Sequence, residues 1–299
     1  MKEKSFIRLM RQRIAQLQKQ SRFCTATNYT SALKAFSRFR KGKDIPIDEI
    51  TVNTIVDFQR SMSGYGLSRN TVSLYTRCLR AVYNYAADEG ILKEDRHPFR
   101  KAFTGCETTR KRAVKESVVK LLVDADFSVY PALSFCRDLF LFSVFMQGMA
   151  FIDVAKLTTA NISGNLLTYR RSKTNREIEI EIPEEAWTII RRHRKMNEGY
   201  LFPLLSTESG TENYRSCLRI QNRRLRRISE MLGITPSLTT YTARHTWASI
   251  AKWQGVSVAV ISEAMGHSDV KTTGIYLATL DSDTISEANR KVVRAVLRQ

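Results

Sequence analysis

Four side chains in the second half of the chain are of the types that transfer a phosphodiester bond without a metal ion. Such a transfer needs a nucleophile, cationic donors for the non-bridging oxygens and an acid for the leaving oxygen. A phenol, a guanidinium, an imidazole and an ammonium group supply these functions, and the candidates are Tyr276, Arg244, His267 and Lys173. His267 and Tyr276 lie nine positions apart in MGHSDVKTTGIYLA, Arg244 lies in YTARHTWAS, and Lys173 lies in RRSKTN.

Each of these residues alone also has a simpler structural explanation. Tyr276 could be a packing tyrosine, Lys173 could be an exposed turn lysine, and His267 could cap the helix that ends in AMG. Their order along the chain favours catalytic roles over structural ones only when the motifs are considered together.

The charge of the chain predicts a polyanionic partner. Lysine and arginine number 48 against 29 for aspartate and glutamate, which gives a formal net charge of +19. Phosphate contacts release condensed counterions, and this release drives the binding of cationic proteins to nucleic acid. A membrane is disfavoured as the partner, because the longest apolar block, LFLFSVFM, is far shorter than a span of about 20 residues.

The cysteines and histidines further limit the class of protein to which the chain can belong. The five cysteines are scattered without a C-x-x-C pair, which indicates a reducing compartment. The four histidines are not spaced like a metal-binding cluster. We therefore expect a cytoplasmic, nucleoid-associated protein that acts on nucleic acid and uses no metal or other cofactor.

The first third of the chain is predicted to be a helical bundle. Residues 1–104 contain three or four amphipathic segments in which apolar residues recur at helical spacing. Thr51 or Asn53 caps one of these helices, and Ser68 caps another. The polar and strongly basic segment 105–114 is predicted to be an interdomain linker.

Residues 115–299 are predicted to be mostly helical with one small β-hairpin. Isoleucines at 178, 180 and 182 alternate with glutamates after the polar turn SKTN, which indicates a hairpin. Pro183 is typical of a helix start. The helices are predicted after Pro183 and at 115–124, 131–149, 213–232, 242–253, 257–265 and about 284–298. The fold class is therefore mainly α with a small β-hairpin.

The stretches YTARHTWAS, MGHSDVKTTGIYLA and RRSKTN resemble the signature motifs of the tyrosine recombinases, also called the phage integrase family. The 23 positions from Arg244 to His267, and the nine from there to Tyr276, agree with the family pattern. The resemblance is detailed over about 110–299, whereas 1–104 resembles a SAM-like core-binding domain only in style. Within the family the chain is most similar to integrases and invertases of Bacteroidetes mobile elements.

This resemblance implies a role for each motif residue. Tyr276 attacks the scissile phosphate and forms a 3′-phosphotyrosyl bond, and Lys173 protonates the departing 5′-hydroxyl. Arg244 and His267 hold the non-bridging oxygens. Tyr241 stands where the family commonly has a histidine, and its phenol can still donate a hydrogen bond. The covalent bond conserves the energy of the broken one, so strand joining needs no ATP.

The resemblance also implies an architecture and an activity. The core-binding domain 1–104 and the catalytic domain 115–299 would close as a clamp on opposite sides of double-stranded DNA at specific recombination sites. The activity would be conservative site-specific recombination, either inversion of a segment or integration and excision of a mobile element. Four subunits would act on two sites as a homotetramer, with the tail helix 284–298 docked into a neighbouring protomer.

One arginine of the family pattern is missing. Asp153 and Leu157 match the acidic residue and the leucine that follow it, which puts Ala150 in its place. Losing one such donor costs about 3 kcal/mol, or roughly a hundredfold in rate. Gln147, one turn earlier on the predicted helix, or a nearby basic side chain is predicted to fill this gap in part. Arg137 is roughly 20 Å away along a continuous helix and is a poor substitute.

Two other functions stay open at this point. Ala150 is compatible with a sequence-specific DNA-binding protein whose active site is degraded. A DNA-relaxing topoisomerase could use the same tyrosine nucleophile.

The predicted helix 213–232 carries a dense run of arginines on its outward side. Such a run can be a merely solvated face, but on a chain of this charge it favours contacts with the DNA backbone. Contacts of this kind position a protein on DNA and do not read its bases. The arginines are Arg215, Arg219, Arg223, Arg224, Arg226 and Arg227.

Overall fold

The structure is a computed structural model that describes residues 4–92, 94–107, 113–193, 199–205 and 211–266. Three sequence predictions lie outside the described residues: His267, Tyr276 and the tail helix 284–298. Within the described ranges, no helix combines the length and the apolarity that crossing a membrane requires.

The chain divides into two compact units, Met1–Thr109 and Arg110–Gln299. Both are mainly helical, and the second contains a small antiparallel sheet, so the predicted fold class is confirmed. The clamp concerns the arrangement of the two units and stays a prediction.

The first unit is a helical bundle in which the first, third and fourth helices begin at side-chain caps. Thr51, and not Asn53, forms the capping box before the third helix, and Ser68 caps the fourth. The inward faces bury a shared core in which the rings of Phe36 and Phe58 meet edge to face, with centroids 5.6 Å apart. The helices of its described part are α1 (Phe6–Lys19), α2 (Phe23–Phe39), α3 (Val52–Gly64) and α4 (Arg69–Asp88).

The second unit is organised around one apolar helix, α6, in which every residue from Cys136 to Val144 is buried. This helix contains most of the apolar block noted in the sequence, and it packs against α8, α9 and α10. The helices described in this unit are α5 (Glu116–Asp124), α6 (Pro131–Phe145), α7 (Phe151–Lys156), α8 (Glu184–His193), α9 (Thr211–Met231), α10 (Thr240–Trp253) and α11 (Val258–Ala264).

The predicted hairpin is present and belongs to an antiparallel sheet with the strand order β1-β2-β3. Leu167 pairs with Ile180 and Tyr169 pairs with Ile178, and all four side chains are buried. The glutamates between the isoleucines are exposed, which is the period-2 pattern of the sequence. The strand β1 was not predicted, because two residues show no periodicity. The strands are β1 (Ile162–Ser163), β2 (Leu166–Arg170) and β3 (Glu177–Glu181).

The continuous helix predicted over 131–149 is wrong. Helix α6 ends at Phe145, the chain turns through left-handed backbone at Gln147 (φ +56°) and Gly148 (φ +67°), and α7 begins after Ala150. Apolar residues continue through the turn, so hydrophobicity alone did not reveal the break. Gln147 and Ala150 therefore do not share a helix. Arg137 and Ala150 do not share one either, so the separation of roughly 20 Å expected along a continuous helix does not hold.

Arg137 is nevertheless a poor substitute donor, because its guanidinium already binds other groups. Its Nε donates to Asp138 at 2.8 Å, and its Nη1 donates to the carbonyl of Ala125 at 2.6 Å. Arg192 and His193 from α8 contact the second oxygen of the same carboxylate at 2.8 and 2.6 Å. Burial raises the pKa of Asp138, but hydrogen bonds from His193 and Arg192 and the charge of Arg137 outweigh it and hold that pKa below its ordinary value.

Replacing Asp138 by asparagine is expected to destabilise the second unit by about 3 kcal/mol at neutral pH, because Arg137 and Arg192 lose the buried carboxylate that balances their charges. The folded-state pKa of Asp138 is lowered, so its contribution is complete well above the unfolded-state value of about 3.9 and is lost as the pH falls. The difference between wild type and Asp138→Asn should therefore shrink below about pH 5.

Urea unfolding followed by tryptophan fluorescence measures this difference, because all three tryptophans, at 187, 247 and 253, lie in the second unit. The exposed Asp124 provides the control, and Asp124→Asn should change the unfolding free energy by less than about 0.5 kcal/mol. A loss in Asp138→Asn that is independent of pH would contradict the assignment.

Candidate active site around Arg244

Arg244 lies on the buried face of α10, which begins at Thr240 after a capping box formed by Thr239 and Thr242. Only 2% of the residue is exposed. Its Nη1 donates to the carbonyl of Gly148 at 2.9 Å, and its Nη2 donates to the carbonyl of Met265. Charge-assisted hydrogen bonds to peptide carbonyls therefore fix the guanidinium between the α6–α7 turn and the end of α11.

Gly148 can hold this position only as glycine. Its backbone is left-handed, with φ +67°, and a Cβ there would lie 3.0 Å from Cα and 3.2 Å from O of Arg244. Its carbonyl is also the acceptor for the Arg244 guanidinium. The turn and α10 thus approach as closely as backbones can, which places Ala150, two residues later, next to Arg244.

Lys173 is exposed at the tip of the β2–β3 hairpin, as the sequence predicted. The hairpin closes through Arg171, whose N–H donates to the carbonyl of Arg176 at 2.8 Å. From α7, the buried Asp153 accepts a hydrogen bond from the N–H of Ser172 at 2.9 Å. Ser172, the residue before Lys173, is therefore hydrogen-bonded to α7, the helix that begins after Ala150.

Arg171 reaches into the unit from the same hairpin, and sequence reasoning missed it. The residue is 5% exposed, and its Nη1 donates to the carbonyl of Gly266. The hydroxyl of Thr174 donates to the same carbonyl at 3.2 Å. Gly266 directly precedes His267 in sequence, so the hairpin of Lys173 is joined to the chain segment that leads into the histidine motif.

Strand periodicity was the signal that could have identified Arg171. Leu167 and Tyr169 point inward, so the residue two further along lies on the same side. Arg170 lies on the opposite side, where it is exposed and pairs with Glu177 at 3.0 Å. Gly148 and Gly266 were also missed, because a carbonyl acceptor leaves no trace in side-chain types.

A cavity of about 380 Å³ lies beside Arg244 and is lined by residues that include Ala150, Tyr241 and Asn222. Tyr241 is 43% exposed, and its ring meets that of His245 edge to face, with centroids 4.5 Å apart. The structure thus brings together Arg244, Tyr241 and Ala150. Gln147 is half-buried in the left-handed turn that precedes this cavity.

The interior of the site strongly disfavours ionisation of a second phenol, that of Tyr169. Burial and the charge of Asp153 raise its pKa to about 12, against the opposing effects of Arg244 and Arg171. Tyr169 therefore stays protonated at neutral pH and serves as a packing residue. Asp153, Arg244 and Arg171 all lie close enough to this phenol to affect its pKa.

The arginines predicted on the outward side of α9 are not all alike. Arg224 is half-buried and lies close enough to the buried thiol of Cys136 to affect its pKa, which burial raises to about 12. Arg224 therefore does not belong to the outward face of α9. That face consists of Arg215, Arg219, Arg223, Arg226 and Arg227, all exposed.

Two family models match the chain. Residues 5–104 match the phage integrase SAM-like domain, and residues 115–283 match the phage integrase family. A tyrosine recombinase of Pseudothermotoga lettingae is 23% identical over 277 residues, which cover 89% of this chain and 91% of that protein.

Solved structures share the fold. The Tn1549 transposon integrase in complex with a circular intermediate DNA matches with a TM-score of 0.71 and 16% identity, covering 96% of this chain and 99% of that chain. A lambda integrase tetramer bound to a Holliday junction matches with a TM-score of 0.65 and 18% identity, covering 89% of this chain and 78% of that chain.

The close approach at Gly148 predicts a position-specific cost. Gly148→Ala is expected to destabilise the second unit by about 1–3 kcal/mol more than Gly164→Ala. Both glycines have left-handed backbones, so both alanines meet similar strain, but only the methyl group at 148 collides with Arg244, whereas nothing lies within 4 Å at 164. Unfolding followed by tryptophan fluorescence measures both variants, and equal losses would refute the close approach.

Proposed function

The chain belongs to the phage integrase family, and on this basis we propose that it cuts and rejoins DNA at specific sites through a 3′-phosphotyrosine intermediate. It is a tyrosine site-specific recombinase. One observation supports this assignment most: the buried guanidinium of Arg244 is fixed by backbone carbonyls, and one of these belongs to the segment to which the Lys173 hairpin is also fastened. A buried, fixed cation and an exposed acid are thereby held around one site, as phosphoryl transfer requires.

The proposed step balances without a metal or ATP. The phenolic oxygen of Tyr276 loses its proton to solvent and forms a bond to phosphorus while the bond to the 5′-oxygen breaks, and Lys173 gives that 5′-oxygen a proton. Arg244 and His267 hold the non-bridging oxygens, and Tyr241 donates a further hydrogen bond. An unperturbed phenol has a pKa near 10, so these donors must stabilise the phosphate charge before Tyr276 reacts.

The partner we propose is double-stranded DNA carrying specific recombination sites. The net charge of +19 and the exposed arginines of α9 support it. The Tn1549 integrase bound to DNA and the lambda integrase tetramer on a Holliday junction support the extension to a homotetramer on two sites. Segment 105–114 is the proposed linker, and both inversion and integration or excision fit this chemistry.

The nucleophile is tested by trapping a covalent adduct. Wild-type protein incubated with a nicked suicide substrate should form a protein–DNA adduct that survives denaturing electrophoresis, and Tyr276→Phe should form none, because it lacks the attacking oxygen. A wild type that binds its site without forming an adduct would instead be a DNA-binding protein with a degraded active site. Relaxation of plasmids that lack the site would indicate a topoisomerase.

The outward face of α9 is tested by salt dependence. Replacing Arg215, Arg219 and Arg223 by glutamine should weaken binding to all duplexes alike and reduce the slope of log K against log salt by up to about 3, since each phosphate contact contributes about 0.9. Fluorescence anisotropy at several salt concentrations measures the slope. Arg191→Gln is the control, because this exposed arginine on α8 is paired with Glu184. An unchanged slope in the triple variant would show that the outward face of α9 does not contact DNA.

A further inference from the structure

We propose that Arg171 supplies the scissile phosphate with the second guanidinium that Ala150 does not provide. This proposal rests on the proposed function. The sequence predicted either the neutral donor Gln147 or a nearby basic side chain as the substitute, and this proposal assigns the role to a cation from the β2–β3 hairpin.

The guanidinium of Arg171 is buried and has a hydrogen-bond donor to spare. The residue is 95% buried, one of its nitrogens donates to the carbonyl of Gly266, and its Nε has no hydrogen-bond partner in the described part of the chain. Buried cations are normally paired or bound to a ligand, because desolvation is costly. A buried guanidinium with a donor to spare is therefore suited to bind an anion.

The acids near the hairpin do not fill this role. Asp153 accepts a hydrogen bond from the N–H of Ser172, and Glu263 on α11 pairs with Arg176 at 3.2 Å. Among the described residues, no carboxylate forms an ion pair with Arg171. An anion that accepts a hydrogen bond from the spare donor would therefore come from outside the described part of the chain, and a DNA phosphate fits.

The position of Arg171 relative to Arg244 also suits this role. Arg244 donates to the carbonyl of residue 265 and Arg171 donates to the carbonyl of residue 266. Successive Cα atoms are about 3.8 Å apart, so both guanidinium groups contact the same short segment. Both groups also act on the hydroxyl of Tyr169. A phosphate held by Arg244 at this point would lie close to the spare donor of Arg171.

Chemistry favours a cation over Gln147. Negative charge on the non-bridging oxygens has to be neutralised during the transfer, and an amide carries no charge with which to do so. Arg171 also lies two residues from Lys173, so the charge and the leaving-group acid would move together on one hairpin.

The test is single-turnover cleavage of a suicide substrate that carries either a phosphodiester or a methylphosphonate at the scissile position. The methylphosphonate lacks one negative charge, so it needs one cation fewer. Arg171→Gln should slow phosphodiester cleavage by about 10²–10³-fold, as removal of a single charge-stabilising donor does. It should cleave the methylphosphonate at a rate close to that of the wild type. Arg170→Gln is the matched control: it makes the same charge change one residue away on the exposed side of the strand, and should cleave both substrates like the wild type.

A second variant guards against a folding defect. Ala150→Arg in the Arg171→Gln background should restore phosphodiester cleavage, because it returns a guanidinium to the position that the family pattern gives it. Tryptophan fluorescence checks that the second unit is folded in each variant.

The outcomes separate this proposal from the function on which it rests. If the wild type forms no adduct with either substrate, the proposed function fails and this proposal fails with it. If the wild type cleaves but Arg171→Gln is unaffected, only the role of Arg171 is refuted. An equal slowing on both substrates without rescue by Ala150→Arg would mean that Arg171 only positions the Gly266 segment, and would also refute the proposal. If Gln147→Ala slows phosphodiester cleavage and Arg171→Gln does not, Gln147 and not Arg171 is the substitute donor.

Discussion

Burial of a guanidinium group against backbone carbonyls is the interaction on which this site depends. A buried cation needs acceptors that cannot relax away from it, and carbonyls in tightly packed turns meet that need. Arg244 takes one from Gly148 and one from Met265, so the α6–α7 turn and the end of α11 must both lie against α10. One side chain therefore joins three segments that are far apart in sequence.

The same requirement explains the two buried glycines. Gly148 and Gly266 both adopt left-handed backbone, and both present a carbonyl to an arginine. A Cβ at Gly148 would lie 3.0 Å from the Cα of Arg244, and one at Gly266 would lie 2.6 Å from Cδ1 of Ile178. Left-handed geometry costs L-residues with side chains about 1–2 kcal/mol, so glycine is the residue that turns the chain sharply and still lets an arginine approach. The close contacts at these turns determine where the cations lie.

Much of the fold could be predicted from the sequence, because amphipathic spacing and capping act locally. The cap at Ser68, the α9 helix and the β2–β3 hairpin were predicted this way and are confirmed. The break at Gln147 was not, because apolar residues continue through it and only tertiary contacts distinguish a turn from a helix there. Likewise the acceptors of Arg244 are carbonyls, which every residue type carries. The family resemblance is confirmed by the matched models, whereas the roles of the individual site residues stay predictions.

Placing a phosphate-binding charge on the hairpin has a mechanical consequence. Ala150, at the position that the family pattern gives to the first arginine, directly precedes α7. With Arg171 in this role, the charge and the proposed acid Lys173 lie on one hairpin, which is fastened by Asp153 on one side and by the Arg176–Glu263 ion pair on the other. The exposed ion pair contributes little and weakens with salt, whereas the buried Asp153 hydrogen bond does not. Movement of the hairpin would then change charge neutralisation and leaving-group protonation together, so a single conformational change would switch both requirements of the transfer.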